Sequence, residues 1–207
     1  DMQAGENAML LAILQDRQAL TERLTRIQRS ISGRAPLPEV LQSIVDGAAE
    51  LIGDNIVAFR RIDPDDPTYA IVQSTTDSPH TAVLGARIKV GAGAGGLAIS
   101  ENRLVVIHEY ADCDQAVPKF AAVGVQAAMS APVRENGVVV GSLVVASDVP
   151  GRRYSDAEQE TLLSFADHAS LALTGAATAE ALRRALRDAR HDAMHDELTQ
   201  LPNRTLL

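Results

Sequence analysis

The sequence predicts an α+β fold in which one mixed domain lies between two long helices. Residues 9–32 and 155–194 contain no proline and carry apolar residues at helical spacing. The chain between them alternates short apolar runs with clusters of Asp, Pro and Gly, which is typical of strands joined by turns. A length of 207 residues allows one domain of about 150 residues with helical extensions.

The charge and the cysteine content exclude several classes of protein. The formal net charge is −8, and basic residues are clustered only between 183 and 190, so the sequence predicts no nucleic-acid partner. Cys113 is the single cysteine, which excludes an internal disulfide and favours a reducing compartment, the cytoplasm. No apolar run approaches the roughly 20 residues that span a bilayer, so no membrane segment is expected within this chain.

The first helix carries a heptad pattern. Its apolar residues recur in steps of three and four, with one interruption at Arg17. The predicted seam consists of Leu10, Ile13, Leu20, Leu24, Ile27 and Ile31. We expect residues 1–35 to form a signalling helix that pairs in parallel with the same helix of a second copy, giving a homodimer. The alternative is that this helix packs on its own domain.

The elements of the central domain follow in order along the chain. Pro36 and Pro38 end the first helix, and an amphipathic helix is expected over residues 36–52. Five runs of strand character come next, at 55–63, 69–74, 86–90, 126–134 and 138–147. The dipeptide Asn136-Gly137 separates the last two runs and is a strong signal for a β-hairpin. The final run is so apolar that it predicts a central strand.

The second long helix begins with a predicted capping box. Ser155 stands three residues before Glu158, directly ahead of an apolar-periodic stretch. The apolar positions change phase near residue 176, which makes a rigid coiled-coil register less secure. We therefore expect residues 176–194 to form a linker helix that can absorb a signal.

The order of elements over residues 36–175 resembles a GAF domain. Besides the helices and the hairpin, the resemblance rests on Ile88-Lys89-Val90 before a glycine-rich turn, on the strand-like residues 104–107, and on Ser130-Ala131-Pro132-Val133. It implies a GAF-like central antiparallel sheet with helices on one face and a small-molecule pocket on the other. The long coiled-coil-type helices would flank this sensory and regulatory domain at both ends.

The resemblance places a ligand over the sheet, beneath the segment 108–124. Candidate wall residues combine apolar area with a few polar groups. They are His108, Tyr110, Phe120, Met129 and Arg134. The identity of the small-molecule effector stays open, and so does the alternative that small residues fill the space and that the domain serves only for dimerisation.

A glycine-rich turn satisfies the dinucleotide-binding pattern G-x-G-x-x-G. Gly91, Gly93 and Gly96 follow a predicted strand, as the pattern requires. Only residues 97–103 separate them from the next strand, which is shorter than the usual crossover helix of a βαβ unit. We therefore favour a structural interpretation of the pattern. In this interpretation the segment is a turn in which glycine permits positive φ and close packing.

Cys113 and several histidines suggest chemistry without completing a site. Cys113 lies between two aspartates, which oppose thiolate formation, and GAF-like free methionine sulfoxide reductases rely on several cysteines. A Cys113-dependent reductase is the enzymatic alternative. The motifs of bilin-binding and cyclic-nucleotide-binding GAF domains are matched incompletely.

The histidines give two further alternatives, haem bound through His108 or His80, and zinc bound through His191 and His195. No third zinc ligand is apparent, so no metal site is expected; a cofactor is unknown, and the present chain requires none.

The last residues form the most specific motif in the chain. The string His195-Asp196-Glu197-Leu198-Thr199-Gln200-Leu201-Pro202-Asn203-Arg204 resembles the HD-x-LT-x-LPNR signature that opens GGDEF domains. The resemblance implies a diguanylate cyclase, which makes cyclic di-GMP from GTP with Mg²⁺, in a protein that can carry a further EAL phosphodiesterase domain. Residues 195–207 would then be the start of a truncated GGDEF domain braced by a salt bridge between Asp196 and Arg204, and the present chain would contain no catalytic residue.

Overall fold

The computed structural model describes residues 2–78 and 84–194. Its helices are Met2–Ser32 (α1), Leu37–Ile52 (α2), Gly93–Glu101 (α3), Pro118–Ala122 (α4) and Asp156–Met194 (α5). Its strands are Ile56–Ile62 (β1), Tyr69–Thr75 (β2), Arg87–Lys89 (β3), Val105–Ile107 (β4), Ala127–Glu135 (β5) and Val138–Ser147 (β6). The predicted α+β class is confirmed, and each strand lies within about one residue of the run that predicted it.

The six strands form one antiparallel sheet in the order β3-β2-β1-β6-β5-β4. β6 is central, as its apolar run predicted, because it pairs with β1 on one side and β5 on the other. Asn136 and Gly137 have φ values of 52° and 83°. A two-residue hairpin of type I′ requires positive φ at both positions, so the predicted β5–β6 hairpin is confirmed.

Helices α1, α2 and α5 cover one face of the sheet. Val57, Phe59 and Leu143 point into this layer and are fully buried, as is Phe165 of α5. Complete burial of such a side chain contributes about 1.5–3 kcal/mol relative to exposure. Gly47 of α2 makes room for Phe165, since a β-carbon at this position would lie 2.8 Å from the ring. This layer is the larger core of the domain and holds α5 on the sheet.

The C-terminal half of α1 packs on its own domain. Ile27 is only 2% exposed within a single chain. The predicted seam residues in this half are buried or half-buried against the domain core: Leu20, Leu24, Ile27 and Ile31. Ile27 is covered by its own chain, which corrects its assignment to a contact between copies. For the half-buried Leu20, Leu24 and Ile31 that contact stays a prediction. Leu10 is 58% exposed, and the side chain of Ile13 lies outside the described residues.

The predicted capping box forms at the start of α5. The Ser155 backbone N–H donates to Glu158 Oε2 at 2.8 Å, and the Glu158 N–H donates to Ser155 Oγ at 3.3 Å. Arg152 forms ion pairs with Glu158 and with Asp54, the latter at 3.0 Å. The guanidinium therefore ties the start of α5 to the residues that lead into β1.

The change of phase along α5 has a structural cause. Its first apolar set is buried against the domain core: Leu162, Ala166, Ala169 and Leu173. Leu171, Leu182 and Leu186 are 58%, 60% and 61% exposed, and at about 100° of rotation per residue they lie on the opposite face of the helix. The first set packs on the chain's own sheet, whereas the second forms an apolar stripe that the described part of this chain leaves uncovered.

Helices α1 and α5 run side by side in the same direction. Leu20 borders a groove with Ser155 and Thr161 at the start of α5. One turn further along α1, Arg23 lies with Phe165 beside the backbone of Gly47. The first turns of α1 therefore precede the start of α5, and the last turns of α5 continue past the end of α1.

Helix α3 lies on the face of the sheet opposite α1, α2 and α5. Ala94 and Ala98 pack there against small residues of the central strands, including Ala58, Ala128 and Ala146. The expectation that helices cover only one face is thus corrected. Small side chains on both sides allow α3 to approach the sheet closely, and this layer carries the candidate site.

Several predicted features lie outside the described residues. They are His80, His195 and the segment 195–207 with Asp196 and Arg204. The side chain of His191 is also outside them. None of the helices in the described ranges combines the length and apolar character needed to cross a bilayer.

Candidate functional site

A cavity lies on the α3 face of the sheet. Its floor is formed by alternate residues of the central strands, Ile56, Ala58, Arg60, Ala128, Val144 and Ala146, and its cover by Ala94, Tyr110, Phe120 and Val125. The cavity volume is about 30 Å³, on a measure in which roughly 10–15 Å³ holds one water molecule. Together with the space that opens to solvent, the empty volume is about 420 Å³. The cavity is partly open to solvent, and its inner part suits a group of a few heavy atoms.

Glycine residues at the start of α3 shape one wall of the cavity. A β-carbon on Gly93 would lie 2.7 Å from the hydroxyl oxygen of Tyr110, and one on Gly95 would lie 2.7 Å from Nη1 of Arg60. Gly93 also has a φ of 60°, a conformation that glycine adopts readily. The glycine-rich turn therefore brings a helix N-terminus against Arg60 and Tyr110.

The same turn does not form a dinucleotide-binding unit. Helix α3 has nine residues and ends at Asn102, whose φ of 51° is left-handed. All strand pairs in the described sheet are antiparallel, whereas the dinucleotide fold places its glycine turn between parallel strands. The structural interpretation of the G-x-G-x-x-G pattern is confirmed.

Arg60 is the principal polar group of the cavity. It is 6% exposed, and within the described residues its guanidinium has no hydrogen-bond or ion-pair partner. The ring of Phe120 lies 5.9 Å from its central carbon. Burial lowers the pKa of Arg60 to about 10, a shift that the nearby Tyr110 opposes. The neighbouring Arg61 forms an ion pair with Glu135 at 2.7 Å, so only one of the two adjacent arginines is unpaired.

A second unsatisfied polar group lies beside Arg60. Ser142 is directly opposite Arg60 in the antiparallel register of β1 and β6, so the two side chains share a face of the sheet. Ser142 is fully buried, and its hydroxyl has no partner among the described residues. Buried polar groups are nearly always hydrogen-bonded. Two adjacent exceptions therefore mark this part of the sheet as a place where a further polar group fits.

Tyr110 contributes a hydroxyl to the same cavity. Its oxygen accepts a hydrogen bond from the Val117 backbone N–H at 3.2 Å. Burial raises the pKa of Tyr110, so the phenol keeps its proton at neutral pH. The hydroxyl can therefore donate a hydrogen bond, while the fold satisfies its acceptor side.

Two of the five predicted wall residues lie in the cavity. Tyr110 and Phe120 line it. Met129 is fully buried but points into the helical layer, because its neighbour Ala128 occupies the cavity face of β5. Arg134 donates to Asn102 Oδ1 through Nη2 at 2.6 Å, at the end of α3. His108 follows the edge strand β4 and does not line the cavity. The wall assignments of Met129, Arg134 and His108 are therefore corrected.

Arg60 is the residue that the predicted site lacked. The signal was present in β1, where Ile56, Ala58 and Arg60 alternate with Val57 and Phe59. An arginine in phase with apolar residues on a strand points inward with them. The sequence alone did not show whether its guanidinium reached solvent, as long arginine side chains often do.

Cys113 lies near the cavity but does not assemble a reactive site. It is half-buried, and Sγ contacts Gln115 Oε1 at 3.7 Å. The chain has no second cysteine to resolve an oxidised form. Among the described residues, no three His, Cys, Asp or Glu side chains are grouped so that they could hold a metal ion.

The GAF domain profile matches residues 34–174. The chain belongs to the GAF domain family. GAF domains are sensory and regulatory modules, so the sensory and regulatory part of the expected function is confirmed. Comparison with curated protein sequences gives no match.

Solved GAF structures share the fold. The GAF domain of a phosphoenolpyruvate-protein phosphotransferase from Coxiella burnetii superposes with a TM-score of 0.67 at 16% identity, covering 79% of this chain and 98% of that chain. A substrate-bound free methionine-R-sulfoxide reductase from Neisseria meningitidis gives 0.65 at 16%, covering 77% and 91%. The phycoerythrobilin-bound GAF domain from a cyanobacterial phytochrome gives 0.65 at 17%, covering 78% and 97%. At these identities the likeness shows the fold alone.

Proposed function

We propose that this GAF domain is the cytoplasmic sensory and dimerisation module of a cyclic di-GMP signalling protein, a diguanylate cyclase. The observation that carries the sensory part is the arrangement of cavity and helix on opposite faces of the same strands. The cavity floor includes Ala128 of β5 and Val144 of β6, and Met129 and Leu143 of these strands are buried in the helical layer. A ligand beneath α3 thus meets a sheet whose other face holds α5.

Two hydrogen bonds support a route from the sheet to the output helix. The Arg134 backbone N–H donates to Ser170 Oγ at 2.9 Å, and the Asn136 N–H donates to Thr174 Oγ1 at 3.0 Å. They attach the end of β5 and its hairpin to α5 just before the helix leaves the domain. A ligand that favours one position of β5 therefore favours one position of α5, to the extent that it binds one arrangement more tightly.

The resemblance of residues 195–207 to the opening of a GGDEF domain supports the proposed output. Helix α5 leads directly towards this segment. A cyclase that joins two GTP molecules, each held with Mg²⁺ by one protomer, depends on how the two catalytic domains face each other, which is a matter of proximity and orientation. The position of α5 would then set the rate of synthesis.

The uncovered apolar stripe on α5 supports dimerisation. Leu171, Leu182 and Leu186 are each more than half exposed and lie on one side of the helix. A second copy of α5 that packs against this stripe would bury all three side chains, which association through apolar surface requires. The proposed homodimer contact therefore involves α5, and Leu10 adds exposed apolar area on α1.

The test uses the full-length protein, supplied with GTP and Mg²⁺. Cyclic di-GMP synthesis is the expected result. Leu182→Cys, introduced together with Cys113→Ser, allows crosslinking between the α5 helices, and effectors that change synthesis should change the crosslinking yield. Cys113→Ser alone is the control. Effectors that alter synthesis while leaving the crosslinking yield constant would overturn the proposed transmission, and absence of synthesis under all conditions would overturn the cyclase assignment.

The second candidate is a domain that binds nothing and only dimerises, which the small volume of the cavity favours. Native mass spectrometry of the dimer distinguishes the two. A small molecule retained by the folded protein and lost on unfolding supports sensing. A dimer whose mass is unchanged by any compound that alters cyclic di-GMP synthesis supports the dimerisation role.

A further inference from the structure

We propose that the cavity binds a short organic monocarboxylate through the guanidinium of Arg60. This inference rests on the proposed sensory function and names the chemical class of its effector. The first observation is the placement of Arg60, a cavity-lining cation that is 94% covered and has no hydrogen-bond or ion-pair partner in the described chain. Its planar set of donors matches the two oxygens of a carboxylate.

The surroundings of Arg60 leave its positive charge uncompensated. None of the described side chains that line the cavity is acidic. The start of α3 lies against the guanidinium, as the 2.7 Å separation from a β-carbon on Gly95 indicates, and the first turn of α3 contains no acidic residue. A helix N-terminus carries partial positive charge, so it adds to the field of Arg60. The two features together attract an anion into the cavity.

The polar groups beside Arg60 fit a single carboxylate. Tyr110 has a hydroxyl proton available for donation, since its oxygen already accepts from Val117. The unsatisfied hydroxyl of Ser142 lies opposite Arg60 on the same face. Because the described cavity lining carries one full positive charge, an anion with one negative charge leaves the buried site neutral. A phosphate dianion would leave an excess charge in apolar surroundings, which is costly.

The rest of the wall fixes the size and the polarity of the ligand body. Ile56, Val125, Val144 and Phe120 present apolar surface, which favours an alkyl group next to the carboxylate. The cavity volume of about 30 Å³ corresponds to roughly two or three water-sized positions. This space suits a chain of a few carbon atoms.

The test measures the binding of acetate, propionate and butyrate to the 207-residue chain by titration calorimetry. Their neutral amides and inorganic phosphate are measured in parallel. At least one carboxylate is expected to bind with saturation and at least tenfold more tightly than its amide. Arg60→Met should weaken this binding at least tenfold. Arg61→Met, which removes the adjacent but ion-paired arginine, should leave it unchanged.

Each other outcome overturns one of the two proposals. Equal binding of amide and carboxylate, tighter binding of phosphate, or absence of saturable carboxylate binding would overturn the assignment of the ligand class. The same holds if Arg60→Met, shown by circular dichroism to be folded, retains full affinity. If the carboxylate binds as expected but does not change cyclic di-GMP synthesis by the full-length protein, the ligand class stands and the sensory function falls.

Discussion

Replacing Arg60 with methionine should stabilise the unliganded protein. The guanidinium is buried without a hydrogen-bond or ion-pair partner in the described chain, and its burial lowers the pKa of Arg60 to about 10. At 1.36 kcal/mol for each tenfold change in the protonation equilibrium, this corresponds to about 3 kcal/mol of destabilisation at neutral pH. Methionine keeps the apolar stem without the charge, so the free energy of unfolding is expected to rise by roughly 1–3 kcal/mol.

The assay is urea unfolding at fixed protein concentration, with Arg61→Met as the matched control. Arg61 and Glu135 form an ion pair and are both partly exposed, so the loss of this pair should change the free energy of unfolding by less than about 1 kcal/mol. The sign of the pH dependence also follows. Arg60 is charged in both the folded and the unfolded state at neutral pH, so the buried charge destabilises the fold until the pH rises through about 10. Above that pH, the difference in free energy of unfolding between Arg60→Met and the wild type should decline. A folded but less stable Arg60→Met protein would refute the reasoning.

Three further predictions concern the supporting structure. Gly95→Ala places a β-carbon 2.7 Å from Arg60 Nη1 and from Val144 Cγ2, so the free energy of unfolding, measured by thermal unfolding, should fall by about 1–3 kcal/mol. Gly175→Ala is the control, because open space surrounds Gly175, and it should cause no loss of stability. Ser155→Ala removes the cap of α5 and should cost about 1 kcal/mol in the same measurement. Leu186→Glu should lower the dimer fraction in analytical ultracentrifugation.

The contradicting results are equally specific. Unchanged stability in Gly95→Ala would show that α3 can move away from Arg60. A dimer fraction in Leu186→Glu equal to that of the wild type would exclude the α5 stripe as the contact. For Ser155→Ala, no loss of stability would mean that Arg152 and its ion pairs hold the helix start without the cap.

Acid should weaken the start of α5. Burial raises the pKa of Glu158, but hydrogen bonds from Arg152 and Ser155 outweigh this and leave the pKa lowered. A carboxylate with a lowered pKa stabilises the fold above its unfolded-state pKa, and this stability is lost as the pH falls through the folded-state value. The stability difference between the wild type and Glu158→Gln, followed by urea unfolding, should therefore shrink below about pH 4. A constant difference down to pH 2 would contradict this role.

The sequence predicted the elements more completely than the faces on which they pack. Turn and cap signals are local, which is why Asn136-Gly137 and Ser155 were interpreted correctly. When both faces of a strand are buried, the residues along the strand do not show which side chains face which layer. β5 is buried on both faces over most of its length, so its pattern did not distinguish Ala128, which lines the cavity, from Met129, which does not.

The predicted seam on α1 shows a second limit of prediction from sequence. A heptad pattern reports that one side of a helix is apolar and does not report what covers it. Here Ile27 is covered by the same chain. The absence of a partner for Arg60 likewise depends on side chains that the fold brings together from β6, α3 and the segment around Tyr110, and no spacing along the chain encodes it.

The parallel course of α1 and α5 brings the two helices into direct contact. One helix arrives beside the first turn of the other and both point the same way, so a rotation or a shift applied to α1 reaches α5 through the shared packing around Phe165. The domain thus holds two helices that are packed directly against each other. Under the proposed sensory function, the position of α5 would respond both to a movement of α1 and to a ligand in the cavity.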